Sequence, residues 1–115
     1  MSELSELAEL LGENETLRLI ELYGGTRLTV PRVIGDGHPL AAEMGAEAAA
    51  RLERFFGGSE VKVPMARSWR SAIYRARGLT YREIARKLGC TESAVYGFFA
   101  RARAGAAAAA VEERG

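Results

Sequence analysis

Cysteine, histidine and long apolar runs are what this 115-residue sequence has least of. A single cysteine, Cys90, excludes an internal disulfide framework and suits a reducing compartment. A single histidine, His38, together with that lone thiol cannot assemble a zinc site of the usual Cys/His kind, so no metal is expected. No apolar run approaches the roughly 20 residues needed to span a bilayer. Met1-Ser2-Glu3-Leu4 places no basic segment ahead of an apolar core, so no signal peptide is expected either. These absences argue against a secreted, membrane or zinc protein and for a cytoplasmic one. What is present is an ordinary globular balance, 48% hydrophobic and 27% charged, with room for one compact domain or two very small ones.

The net charge of +1 conceals an asymmetry. Residues 1–64 carry 6 Lys/Arg against 11 Asp/Glu, a net of −5, whereas residues 65–104 carry 9 against 2, a net of +7. A basic block attracts polyanions, and an acidic neighbour limits indiscriminate binding. The division predicts a domain at 1–64, a second at 65–104 and an Ala-rich tail at 105–115, the tail being either a helical extension or a frayed end.

The acidic part contains an internal repeat. Residues 12–31, GENETLRLIELYGGTRLTVP, align with 45–64, GAEAAARLERFFGGSEVKVP, at an offset of 33. Each copy reads as a helix, a glycine stop at Gly24 or Gly57 in the left-handed conformation, a short strand and a terminating proline, Pro31 or Pro64. Within the strands Leu28, Val30, Val61 and Val63 alternate with Arg27, Thr29, Glu60 and Lys62, the pattern of half-buried strands. Strands this short must pair with each other or with another chain. Val33–Pro39 reads as a turn-rich linker, and Leu40–Met44 as one further helical turn. Leu4, Leu7, Ala8 and Leu11 form one stripe of an N-terminal helix with Ser2 as its cap. About 64 residues with two isolated strands bury little core, and dimerisation is the natural remedy.

The basic part predicts three helices. Over 66–77, Trp69, Ala72, Ile73 and Ala76 make an apolar stripe, with Arg67, Arg70, Arg75 and Arg77 off it and Gly78 as the stop. Thr80-Tyr81-Arg82-Glu83 is a capping-box pattern, after which Tyr81, Ile84, Ala85 and Leu88 fall at helical spacing. Gly89-Cys90 makes a turn, Thr91 caps the next helix, and Val95, Phe98, Phe99 and Ala102 repeat the spacing. Two short helices about a tight glycine turn are the helix-turn-helix signature, with Val95 plugging the angle and Cys90 a small structural side chain.

In that arrangement the N-terminal residues of the second helix meet base edges in the major groove. The candidates for base reading are Thr91, Glu92, Ser93, Tyr96 and Gly97, with Glu92 suited to accept from a cytosine amino group. Gly97 is read either as close backbone approach to DNA or as simple tolerance. Candidates for phosphate contact are Arg67, Arg70, Arg75, Arg82, Arg86, Lys87 and Arg101.

On the segments LIELYGGTRLTVPR, HPLAAEMGAEAAARLERFFGGSEVKVP and LTYREIARKLGCTESAVYGFF, the chain resembles the Mor transcription activator family of Mu-like phages over roughly residues 5–103. The resemblance implies a mainly α fold with two short β-strands. It implies an N-terminal dimerisation domain whose strands pair across subunits, and a C-terminal helix-turn-helix. It further implies activation of phage promoters through host RNA polymerase, and it places the strand residues Glu60 and Lys62 near the duplex. Met65-Ala66 stands where a glycine and a basic residue often follow the proline in that family.

The function expected is therefore a sequence-specific, homodimeric regulator of transcription that binds double-stranded DNA at a dyad site. Its partners are DNA, itself and host RNA polymerase, with no membrane, cofactor or small-molecule ligand. An enzyme is not expected, because no serine has a paired base and His38 stands alone beside a proline. The alternative is a protein-interaction module, such as an antitoxin or a DNA-binding fragment like region 4 of a sigma factor.

Overall fold

Two eleven-residue helices, α2 (Glu13–Tyr23) and α4 (Ala46–Phe56), each end at a Gly-Gly pair and hand the chain to a short strand, β1 (Arg27–Thr29) or β2 (Glu60–Lys62). In this computed structural model, which describes residues 3–114 and the side chains of 3–105, the two copies extend further back than the aligned segments. Each begins with a helix, α1 (Glu3–Leu11) or α3 (Pro39–Met44), so that Leu7, Ala8 and Gly12 correspond to Leu40, Ala41 and Gly45. The expected cap Ser2 lies outside the described residues. His38 stands at the start of α3, where its Nδ1 accepts the Leu40 amide at 3.1 Å.

The strands pair with each other, antiparallel, with Leu28 opposite Val61. Within the chain each repeat thus supplies the partner of the other, where the resemblance implied strands pairing across subunits. The hydrogen bonds obey the same internal two-fold relation. Gly25 donates to the Val63 carbonyl and Gly58 to that of Val30, both at 2.8 Å. Val63 and Val30 donate in turn to the carbonyls of Thr26 and Ser59, both at 2.9 Å.

The turn chemistry departs from the sequence reading in one respect. The first glycine of each pair, Gly24 or Gly57, has an ordinary negative φ of −52° or −56°. The left-handed residue is the second, Gly25 at φ 83° or Gly58 at φ 82°. The first glycine is needed for space instead: a Cβ on Gly24 would lie 2.6 Å from the Ile20 carbonyl oxygen, and one on Gly57 would collide with that of Glu53.

Packing follows the duplication. α1 packs on α2 and α3 on α4, while α1 also meets α4 and α2 meets α3, crossing the repeats. Leu7, Leu11, Leu17, Leu19, Ile20, Val30, Leu40, Leu52, Val61 and Val63 are buried. The small core expected of 64 residues is thus closed by one repeat against the other. Arg51 donates to the Leu11 carbonyl (3.3 Å) and pairs with Glu15 (2.7 Å), whereas Arg18 donates to the Glu43 carbonyl (3.3 Å). Each repeat therefore sends the same arginine to the last carbonyls of the other repeat's first helix, where a cation complements the helix dipole.

The chain divides after Ala66, the one described non-glycine residue with positive φ (48°), into two compact units. The second unit contains α5 (Arg67–Ala76), α6 (Tyr81–Leu88) and α7 (Glu92–Arg114), each packed on the other two. Residues 105–114 thus continue α7 rather than starting a separate element. No helix among the described residues is long and apolar enough to cross a membrane.

Candidate nucleic-acid interface

The α6–turn–α7 element is defined by its caps. Thr80 Oγ1 accepts the Glu83 amide at 3.2 Å, and Glu83 Oε1 accepts the Thr80 amide at 3.0 Å, completing the capping box that opens α6. That backbone hydrogen bond from Thr80, supported by the Thr80 side chain, holds the exposed Glu83 carboxyl below its usual range. Gly89 closes α6 in the left-handed conformation (φ 68°), and the Cys90 amide reaches back to the Ala85 carbonyl at 3.0 Å. Thr91 Oγ1 then accepts the Ala94 amide at 3.1 Å to start α7. Ile84, Ala85, Leu88 and Val95 are buried between the helices, Val95 at 0% exposure. Cys90 is half-buried in the turn.

α5 turns a different face inward from the one its apolar stripe suggested. Arg70, Ser71, Ile73 and Tyr74 are buried, whereas Ala72 and Ala76 are exposed and Trp69 is half-buried. Arg70, expected among the phosphate contacts, is 8% exposed. Its Nη2 donates to the Tyr74 hydroxyl at 3.2 Å and to the Lys87 carbonyl at 3.5 Å, so the guanidinium satisfies the C-terminal turn of α6. The stem of an arginine buries readily when its head finds such partners. Ser71 Oγ is buried with no hydrogen-bond partner among the described residues.

The remaining cations differ in what they are free to do. Arg67, Arg82 and Arg86 are exposed and enter no ion pair among the described residues. Arg75 is exposed, but its guanidinium donates to the Leu79 carbonyl at 3.0 Å and lies 4.8 Å from the Tyr81 ring centre. Lys87 is exposed with its Nζ 5.3 Å from the Tyr74 ring, and Arg101 lies 5.3 Å from the Phe98 ring. Arg77 and Arg103, which were not among the expected contacts, are exposed on the same unit.

Of the base-reading candidates, Thr91, Glu92, Ser93 and Tyr96 are exposed and Gly97 is half-buried. The Thr91 hydroxyl accepts the Ala94 amide as the α7 cap, which leaves its proton and one lone pair for other partners. Tyr96 is 57% exposed, with its ring edge-on to Tyr81 at 4.4 Å, and Tyr81 stacks on Phe99 at 5.2 Å. Sequence spacing placed Tyr81 only on a core stripe. Its part as the hub of an Arg75–Tyr81–Tyr96–Phe99 cluster depends on the angle between helices, which spacing does not carry.

Glu60 and Lys62 are exposed on the outer face of β2, in the other unit, and Glu60 pairs with Arg27 at 3.3 Å. Among the described residues no group of three or more His, Cys, Asp or Glu is placed to hold a metal ion.

A capped, tightly turned helix pair on a third helix, bearing exposed cations, defines a helix-turn-helix domain. The comparison with known families agrees: residues 67–110 match a homeodomain-like domain, a helix-turn-helix DNA-binding fold. No curated protein and no solved structure matches the chain.

Proposed function

We propose that the chain is a sequence-specific regulator of transcription that binds double-stranded DNA through α7 as a homodimer. The observation that carries this reading is the capped helix-turn-helix on residues 67–110, with Arg67, Arg82 and Arg86 exposed around it. Such a domain lays its second helix in the major groove while surrounding cations neutralise phosphates.

The doubled Gly-Gly-strand-Pro element supports a finer assignment: an activator of the Mor type, serving a phage or prophage promoter by recruiting host RNA polymerase in the cytoplasm. Self-association is supported by the sheet, because β1 and β2 each have one neighbour and leave one edge with no strand beside it among the described residues. The reading includes no catalytic step, cofactor or small-molecule ligand.

Fluorescence anisotropy with labelled duplexes from a randomised pool, titrated between about 50 and 200 mM salt, tests the DNA reading. A steep fall in affinity is expected, and a flat response overturns it. Sedimentation equilibrium at micromolar concentration tests the dimer, which a monomer mass overturns.

A further inference from the structure

Resting on the DNA-binding reading above, we infer that the outward face of α7 reads pyrimidines: Glu92 accepts the amino group of a cytosine, and Tyr96 contacts the methyl group of a thymine on the same strand. The first two turns of α7 with their cap, residues 91–97, read TESAVYG. They contain no Arg or Lys, the readers of guanine O6 and N7, and no Asn or Gln, the readers of adenine N6 and N7. What they do contain is a carboxylate at Glu92, the hydroxyls of Thr91 and Ser93, the phenol ring of Tyr96 and a glycine.

Glu92 is exposed, and among the described residues no basic group pairs with it. An ionised carboxylate can only accept hydrogen bonds. Guanine and thymine present it with acceptors in the major groove, O6 and N7 or O4, so both repel it. Adenine offers an amino donor beside the N7 acceptor, which faces the second carboxylate oxygen. Cytosine offers its N4 amino donor without an adjoining acceptor. A carboxylate brought against a polyanion is unfavourable everywhere else along the duplex, so Glu92 also selects against wrong sequences.

Tyr96 lies one turn further along the same face, at i+4, about 6 Å along the helix axis or roughly two base-pair steps. Its ring packs edge-to-face with Tyr81 yet is 57% exposed, so it offers a partly anchored aromatic surface of the kind that meets a thymine methyl. Gly97, beside it, brings the backbone to the surface. A Cβ there would meet only the tip of the Arg101 side chain, at 3.4 Å, so the protein interior does not require this glycine.

The test is selection from a randomised duplex pool with the full chain and with Glu92→Gln, followed by anisotropy on the selected duplex. The wild type is expected to enrich a cytosine with a thymine one or two positions away. Glu92→Gln replaces an acceptor by the donor–acceptor pair that matches adenine, so the cytosine position is expected to change to adenine. The same variant, having lost a negative charge, is expected to bind unrelated duplex at least as tightly as the wild type. Replacing the selected thymine by deoxyuridine, which lacks the methyl group, is expected to weaken wild-type binding several-fold.

A wild-type motif with purines at both positions, or one left unchanged by Glu92→Gln, overturns this inference and leaves the DNA-binding reading standing. Enrichment of no motif, with no salt-dependent binding, overturns both.

Discussion

Leu28 faces Val61 across the two-stranded sheet, and the two are repeat equivalents, 33 positions apart. The internal two-fold relation therefore passes between them, and what happens on one side of it has a counterpart on the other. Gly25 and Gly58 share φ near 82–83°, and a Cβ on each would meet the residue after the opposite proline, Met65 Sδ at 2.6 Å or Arg32 Cγ at 3.1 Å. Gly25→Ala and Gly58→Ala are each expected to destabilise the protein by about 1–3 kcal/mol. Chemical denaturation of the two single variants measures this, and a neutral effect at either site contradicts the positive-φ account.

Arg70 and Arg82 separate structure from binding. Arg70→Ala removes hydrogen bonds to the Tyr74 hydroxyl and the Lys87 carbonyl from a buried setting, and it is expected to cost about 1–3 kcal/mol of stability. Arg82→Ala leaves the fold intact and, on the DNA-binding reading, lowers the salt slope of binding by about 1. Thermal melts and salt titrations of both variants distinguish the two roles.

Gly97→Ala is expected to strengthen α7 by roughly 1 kcal/mol, since alanine is the better helix former and the added methyl meets only a flexible side-chain tip. If the helix approaches DNA closely there, affinity falls while the melting temperature rises. A gain in stability with unchanged affinity marks Gly97 as a tolerated residue with no part in recognition.

Two groups give pH signatures of opposite sign. The folded state depresses the Glu83 carboxyl, so its contribution is present above the ordinary carboxylate pKa and fades as pH falls through the lower folded value. Glu83→Gln retains an acceptor for the Thr80 amide but does not titrate, so its melting temperature is expected to vary less than that of the wild type below about pH 5.

Tyr23 behaves in reverse. Its hydroxyl donates to Glu43 Oε2, and this bond, with burial and the carboxylate's charge, raises its pKa from 10.0 to about 12. Its contribution is complete below about pH 10 and is lost as pH rises towards 12. Urea midpoints of wild type and Tyr23→Phe between pH 9 and 12 are expected to converge as the tyrosine ionises.

The caps and the periodic helices were legible in the sequence because each depends on contacts within a few residues. Thr80 and Glu83 form their box, Gly89 takes its left-handed turn, and Val95 fills the angle as spacing alone predicts. The Gly-Gly stops were legible as stops, but their division of labour was not: it depends on where the Ile20 and Glu53 carbonyls point.

What spacing misread were the long-range choices. Arg70 reads as a surface cation until the α6 carbonyl at Lys87 is seen within its reach. The shortness of β1 and β2 required a partner, either each other or another chain, and their alternation was compatible with both. The partner in this chain is the other repeat because Leu7/Leu40 and Ala8/Ala41 extend the duplication to whole helix pairs that pack on each other.

The crossed arginines give that duplication a consequence of their own. Arg18 secures the end of α3 and Arg51 the end of α1, so neither half holds its own first helix by this device. Damage to one copy loosens its twin, and the two can diverge in sequence only while each continues to serve its sibling.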